Sequence, residues 1–97
     1  MKSFNRDVAA RVLQALAHPL RLGILERLAE GECSCKELHE ALGCSQSMLS
    51  QQLKILEHQG LVRCRKQGTV KICDVRNPDI LKLFNCLQNH ICNILGK

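Results

Sequence analysis

Seven cysteines punctuate this chain of 97 residues, and two of them, Cys33 and Cys35, stand one residue apart. Two thiolates at that spacing can reach a single ion, and soft sulfur donors select soft or borderline ions such as Cu(I) and Zn(II). The pair flanks Ser34, which is followed three residues later by Glu37 in the spacing of a capping box, so it stands at the mouth of a short helix. A helix N-terminus lowers a thiol's pKa, and this favours the thiolate needed for ligation. A second candidate lies near the C-terminus, where Asp79, Cys86, His90 and Asn93 fall on one stripe at helical spacing. Cys44, Cys64, Cys73 and Cys92 each read as small packing residues. An odd cysteine count without a secretory leader does not read as a disulfide framework. It points to metal binding, redox chemistry or packing in a reducing cytoplasm. His18 reads as a helix-junction residue, and His39 and His58 carry no ligand spacing.

A different chemistry is written in the middle of the chain. Ser45-Gln46-Ser47-Met48-Leu49-Ser50-Gln51-Gln52 crowds small hydroxyls and amides into the first turns of a helix, with Lys54 one turn further on. Gln can pair with adenine N6 and N7 in the major groove, and Ser is a tolerant partner. Arg63, Arg65, Lys66 and Lys71 follow on a hairpin, spaced to track phosphates. Lys and Arg outnumber Asp and Glu by 14 to 9, a net charge of +5 that favours a polyanionic partner. Aromatic residues are only 2%, with no Tyr or Trp. That disfavours RNA and single-strand binders, which stack bases on aromatic platforms.

These residues need elements to hold them, and the apolar spacing supplies a series of short helices. Phe4, Val8, Val12 and Leu16 mark a first amphipathic helix that His18-Pro19 interrupts. Pro19 opens a second, carrying Leu20, Ile24, Leu25 and Leu28 and ending at Gly31. A third helix is expected over about residues 35–42, with a tight turn at Gly43. Ser45 or Ser47 caps a fourth that runs to Gly60. Residues 61–65 and 70–75 read as strands around a turn at Lys66-Gln67-Gly68-Thr69. Asn77-Pro78 then starts a last helix with the stripe Ile80, Phe84, Leu87, Ile91 and Leu95. Helix, turn and helix followed by a basic hairpin predict a mainly α winged helix-turn-helix, one domain over residues 1–97, with double-stranded DNA as partner. No apolar run approaches the roughly 18–20 residues of a membrane span.

The same residues resemble the ArsR/SmtB family of repressors. Leu16-Ala17-His18-Pro19-Leu20-Arg21-Leu22-Gly23-Ile24-Leu25 is similar to that family's first-to-second helix junction. Cys33-Ser34-Cys35-Lys36-Glu37-Leu38 resembles its C-x-C-[DE]-L metal motif, with the acidic position displaced by one. The stretch from Ser45 to Leu56 resembles its recognition helix, with Gln where His is common, and Arg65-Lys66-Gln67-Gly68 resembles its wing turn. The likeness spans about Val8 to Ile94. It implies a cytoplasmic homodimer, joined through its first and last helices, that represses an operon and leaves its operator DNA when an inducer binds. It also extends the ion class to As(III), Cd(II) and Pb(II). Some members place a third cysteine where this chain has Leu38, and others borrow cysteines from an N-terminal stretch that here has none. A third protein ligand must then come from Cys44, Cys64, Cys73, Cys86 or Cys92. The family's other metal site maps onto Asn77, Asp79, His90 and Asn93, of which only Asp79 and His90 are good ligands, with Cys86 one turn before His90.

Two other functions compete. A thiol redox or persulfide sensor of the same fold typically uses one cysteine in the second helix and one in the last, and residues 19–30 contain none. A metal carrier or thiol oxidoreductase is the third reading, but C-x-C is not C-x-x-C and no βαβ pattern surrounds it. The chain lacks a Gly-rich phosphate loop, H-E-x-x-H and G-x-S-x-G, so catalysis finds no support.

Overall fold

The computed structural model describes residues 3–96. Its elements follow in the order α1 (Arg6–Leu16), α2 (Pro19–Leu28), β1 (Cys33–Ser34), α3 (Cys35–Leu42), α4 (Gln46–His58), β2 (Val62–Gln67), β3 (Val70–Val75) and α5 (Pro78–Leu95). Each helix begins on a side chain that satisfies a free backbone N–H, as the first turn requires. Asn5 accepts from Val8, His18 Nδ1 from Leu20, and Asn77 from Asp79. At α3 the capping box closes in both directions: Glu37 N–H donates to Ser34 Oγ at 3.1 Å, and Ser34 N–H to Glu37 Oε1 at 3.2 Å. Of the two serines that could cap α4, it is Ser45 that accepts, from Met48 N–H.

The core lies where α2, α3 and α4 meet the inner face of the hairpin. Its largest fully buried side chains are Ile24, Leu25, Leu38, Leu49, Leu53, Leu56, Val62 and Cys73. Burying each aliphatic side chain contributes about 1.5–3 kcal/mol. Gly23 lets α2 approach α3, because a Cβ there would stand 2.9 Å from Leu42 Cδ2. Gly43 ends α3 with φ +67°, a left-handed conformation that glycine adopts without steric cost, and so turns the chain into α4. Arg21 locks this corner. Its Nη1 donates to Gln52 Oε1 on α4, and its other nitrogens donate to the carbonyls of Gln14 and Ala15 at the end of α1.

Three features depart from the sequence expectation. First, Cys33 and Ser34 form a short third strand, so the sheet has the order β1-β3-β2, all antiparallel. Second, the expected four-residue turn at 66–69 is shorter. Lys66 and Gln67 stay in β2, opposite Lys71 and Val70, which leaves Gly68 and Thr69 as the loop. Third, the apolar stripes of α1 and α5 are only partly used within the chain. Phe4 precedes α1 and is 78% exposed, Val8 is exposed, and Leu16 is buried. On α5, Ile80 and Phe84 enter the core, whereas Ile94 and Leu95 are 73% and 67% exposed.

Candidate functional site

The first turns of α4 project from the core. Gln46, Ser47, Gln51 and Lys54 are exposed and Ser50 is half-buried. Gln52, the last residue of the amide-rich run, is buried and bonded to Arg21, so it belongs to the scaffold. A groove of about 460 Å³ separates α4 from the wing; Ser34, Cys35, Gln46, Ser50, Thr69 and Lys71 are among the residues lining it.

His39 has a role that the sequence reading missed. Its Nε2 lies 3.3 Å from Gln46 Nε2, and its Nδ1 lies 3.3 Å from the Cys44 carbonyl. An amide nitrogen only donates and a carbonyl only accepts, so the pair of contacts assigns the neutral Nδ1–H tautomer. The ring ties the turn to Gln46. No sequence spacing signals this, because the contact crosses the turn between two helices.

The wing cations are less free than their spacing suggested. Arg63 makes a two-point bond to Asp74, with Nε–Oδ1 2.9 Å and Nη2–Oδ2 3.3 Å. These bonds hold its guanidinium above its ordinary pKa. Arg65 pairs with Glu32 at 2.9 Å, and Lys71 with Glu57 at 3.9 Å. Among the described residues, Lys66 alone of the four has no carboxylate within ion-pair distance. Such exposed pairs are weak, so an incoming phosphate can displace the carboxylates.

Four of the seven cysteines converge behind this face. Cys73 on β3 is paired in register with Cys33 on β1 and with Cys64 on β2, so the three form one row across the sheet. Directly opposed residues share a face, and here it is the inner one, carrying buried Val62. A disulfide joins Cys64 to Cys73. Cys35 Sγ, at the first position of α3, lies 3.6 Å from Cys73 Sγ. The expectation that Cys64 and Cys73 are separate packing residues, in a chain with no disulfide, is therefore corrected. The two-residue loop places them directly opposite, where a turn over 66–69 would have staggered them.

The expected thiolate activation is also reversed. Burial pushes both the Cys33 and Cys35 thiols above their ordinary value of 9.0; Arg27 beside Cys33 and Lys71 beside Cys35 pull the other way without overcoming it. Cys33 is only 2% exposed, whereas Cys35 opens on the groove. No group of three or more His, Cys, Asp or Glu among the described residues is arranged to hold a metal ion. Cys73 nonetheless adjoins both Cys33, its cross-strand partner, and Cys35.

On α5, Asp79, Cys86 and His90 are all exposed, and Asp79 pairs with Lys82 at 3.5 Å. At 1.5 Å per residue, Asp79 and His90 stand about 16 Å apart along the helix, so one chain does not bring them to a common ion. Cys92 is exposed and Cys44 half-buried. No helix among the described residues is long and apolar enough to cross a membrane.

Comparison with known proteins agrees with this architecture. A helix-turn-helix domain model matches residues 16–65. The uncharacterized HTH-type transcriptional regulator Rv0081 of Mycobacterium tuberculosis is 37% identical over 88 residues, 90% of this chain and 77% of its own. Its crystal structure superposes with a TM-score of 0.84 at 35% identity, covering 93% of this chain and 91% of that one. The transcriptional repressor BigR from Xylella fastidiosa gives a TM-score of 0.83 at 34% identity, covering 89% and 88%. A homodimeric winged helix-turn-helix DNA-binding domain from Mycobacterium bovis gives 0.78 at 33% identity, covering 91% and 87%. These relatives are transcriptional regulators rather than enzymes. With its sulfur-bearing α3, recognition helix and basic wing in that order, the chain belongs to the ArsR/SmtB-type winged helix-turn-helix transcriptional regulators.

Proposed function

We propose that the protein is a cytoplasmic homodimeric repressor that grips double-stranded operator DNA and leaves it when a thiophilic metal or metalloid ion, of the As(III), Cd(II) and Pb(II) class, binds at cysteine thiolates. The observation that carries the DNA reading is the exposed start of α4 beside a basic wing. Gln46, Ser47, Ser50 and Gln51 read bases, with Ser45 capping the helix that presents them. Lys54, Arg63, Arg65, Lys66 and Lys71 hold phosphates. Residues 1–97 act as one domain, paired through α1 and α5, so that two recognition helices meet successive turns of the groove.

For the inducer, Cys33 and Cys35 hold the ion, and Cys73 supplies the third sulfur once the wing disulfide is reduced. Support comes from the cross-strand pairing of Cys33 with Cys73 and the 3.6 Å approach of Cys35 to it. Drawing these sulfurs together shifts the first turn of α3, which packs against α4. By linkage the inducer favours the DNA-free dimer by the factor that it weakens DNA binding, about 5- to 150-fold per site. The test is operator release by reduced protein titrated with As(III), Cd(II), Pb(II), Zn(II) and Cu(I). Cys33→Ser with Cys35→Ser is expected to keep DNA binding and lose release. Release at an unchanged ion concentration moves the site elsewhere, first to Cys86, His90 and Asp79.

The Cys64–Cys73 disulfide favours a second reading, in which the same repressor senses thiol oxidants or persulfides.

A further inference from the structure

We infer that Cys35, Cys73 and Cys64 form a thiol–disulfide exchange site beneath the groove between α4 and the wing, in which Cys35 takes Cys73 from Cys64. The cross-link then passes from within the wing to the junction of the wing with α3. Three observations carry this. Cys73 is already bonded to Cys64. Cys35 is a free thiol whose sulfur stands 3.6 Å from Cys73 Sγ, about 1.5 Å more than the roughly 2.05 Å of an S–S bond. Cys73 is fully buried, whereas Cys35 lines the groove and Cys64 is half-buried, so the central sulfur is met by neighbours within the protein rather than by solutes.

The step balances without an external reagent. Cys35 loses its proton to solvent, and its thiolate electron pair forms the bond to Cys73 Sγ. The Cys73–Cys64 bond breaks, and its pair leaves on Cys64, which takes a proton from solvent. One disulfide is exchanged for another with no net oxidation. The consequence is mechanical. A tie between Cys64 and Cys73 spans nine residues of one hairpin, whereas a tie between Cys35 and Cys73 spans 38 and encloses all of α4. Exchange therefore tethers the entry of α3 to the wing across the helix that meets DNA. This sulfur chemistry stands whether or not an ion is the inducer.

The test is disulfide mapping in a buffer of reduced and oxidised glutathione, quenched in acid and blocked with N-ethylmaleimide. Cys33 and Cys35 share one tryptic peptide, between Arg27 and Lys36, so every sample carries Cys33→Ser. In that background we expect both cross-links, Cys64–Cys73 and Cys35–Cys73, with N-ethylmaleimide divided between Cys35 and Cys64. Adding Cys64→Ser leaves Cys35–Cys73 as the main cross-link, and adding Cys35→Ser leaves Cys64–Cys73. The inference is overturned if Cys64→Ser leaves Cys35 and Cys73 both blocked by N-ethylmaleimide under conditions that close Cys64–Cys73 in the Cys35→Ser protein. Where circular dichroism shows that Cys64→Ser does not fold, the Cys64-containing protein decides: the Cys35–Cys73 peptide is present, or the exchange does not occur. Operator binding measured on the reduced protein is a separate readout, and its loss would sink the repressor reading while leaving the exchange site intact.

Discussion

Arg21 on α2 donates from Nη1 to Oε1 of Gln52 on α4 across 2.8 Å, and so joins the helix that follows the α1 junction to the helix proposed to meet DNA. The same guanidinium holds the carbonyls of Gln14 and Ala15 at the end of α1, and the Gln14 carbonyl also accepts from the Ala17 N–H. One side chain thereby connects the end of α1, one of the two helices proposed for the dimer, to α4. Arg21→Ala leaves the buried Gln52 amide without this partner, and unfolding in urea should show a loss of about 1–3 kcal/mol at an unchanged slope.

Base reading and phosphate anchoring should separate by mutation. Gln46→Ala is expected to narrow the gap between operator and random duplex by about 1–3 kcal/mol. Lys66→Ala should weaken both duplexes alike and lower the salt slope by about 0.9 for each phosphate that it leaves unneutralised. Binding isotherms on both duplexes at several salt concentrations check this. Equal effects of the two changes on sequence preference would contradict the division of labour.

His39 holds Gln46 across the turn, so His39→Ala should free the Gln46 side chain without unfolding the chain. The expected result is weaker operator discrimination with an unchanged thermal midpoint. A midpoint that falls with discrimination intact would make His39 a packing residue only.

Glu37 gives a pH signature. The Ser34 backbone and hydroxyl hydrogen bonds hold its carboxyl below the ordinary value of 4.5. The unfolded chain therefore binds this proton more readily than the folded one. The stabilisation is present above pH 4.5 and is lost as pH falls through the lower folded-state value. Glu37→Gln should remove that component, flattening the acid limb of stability against pH while the remaining carboxylates titrate as before.

Dimerisation should rest on the apolar surface that the single chain leaves exposed. Ile94→Asp together with Leu13→Asp places charge on both helices concerned, and neither side chain is in the core. Sedimentation is expected to show a monomer with native helix content and much weaker operator binding. A dimer that persists would place the interface elsewhere.

Local signals in the sequence were enough for the order of the five helices and the hairpin. Ser34 with Glu37, Pro19, and Asn77 with Pro78 act within a few residues, and each helix starts where these signals predict, whereas the cap that His18 supplies was not foreseen. The exposed amide-rich start of α4 was legible for the same reason, since a helix's period assigns its faces. What tertiary structure decided lies across the chain. A two-residue loop at Gly68 and Thr69 set the register that opposes Cys64 and Cys73, which the expected turn over residues 66–69 would have staggered. The addition of β1 to the sheet brought Cys33 into the same row, and the packing of α3 on β3 brought Cys35 beside it. Burial then raised both thiols rather than lowering them, because desolvation of a thiolate outweighs the nearby Arg27 and Lys71.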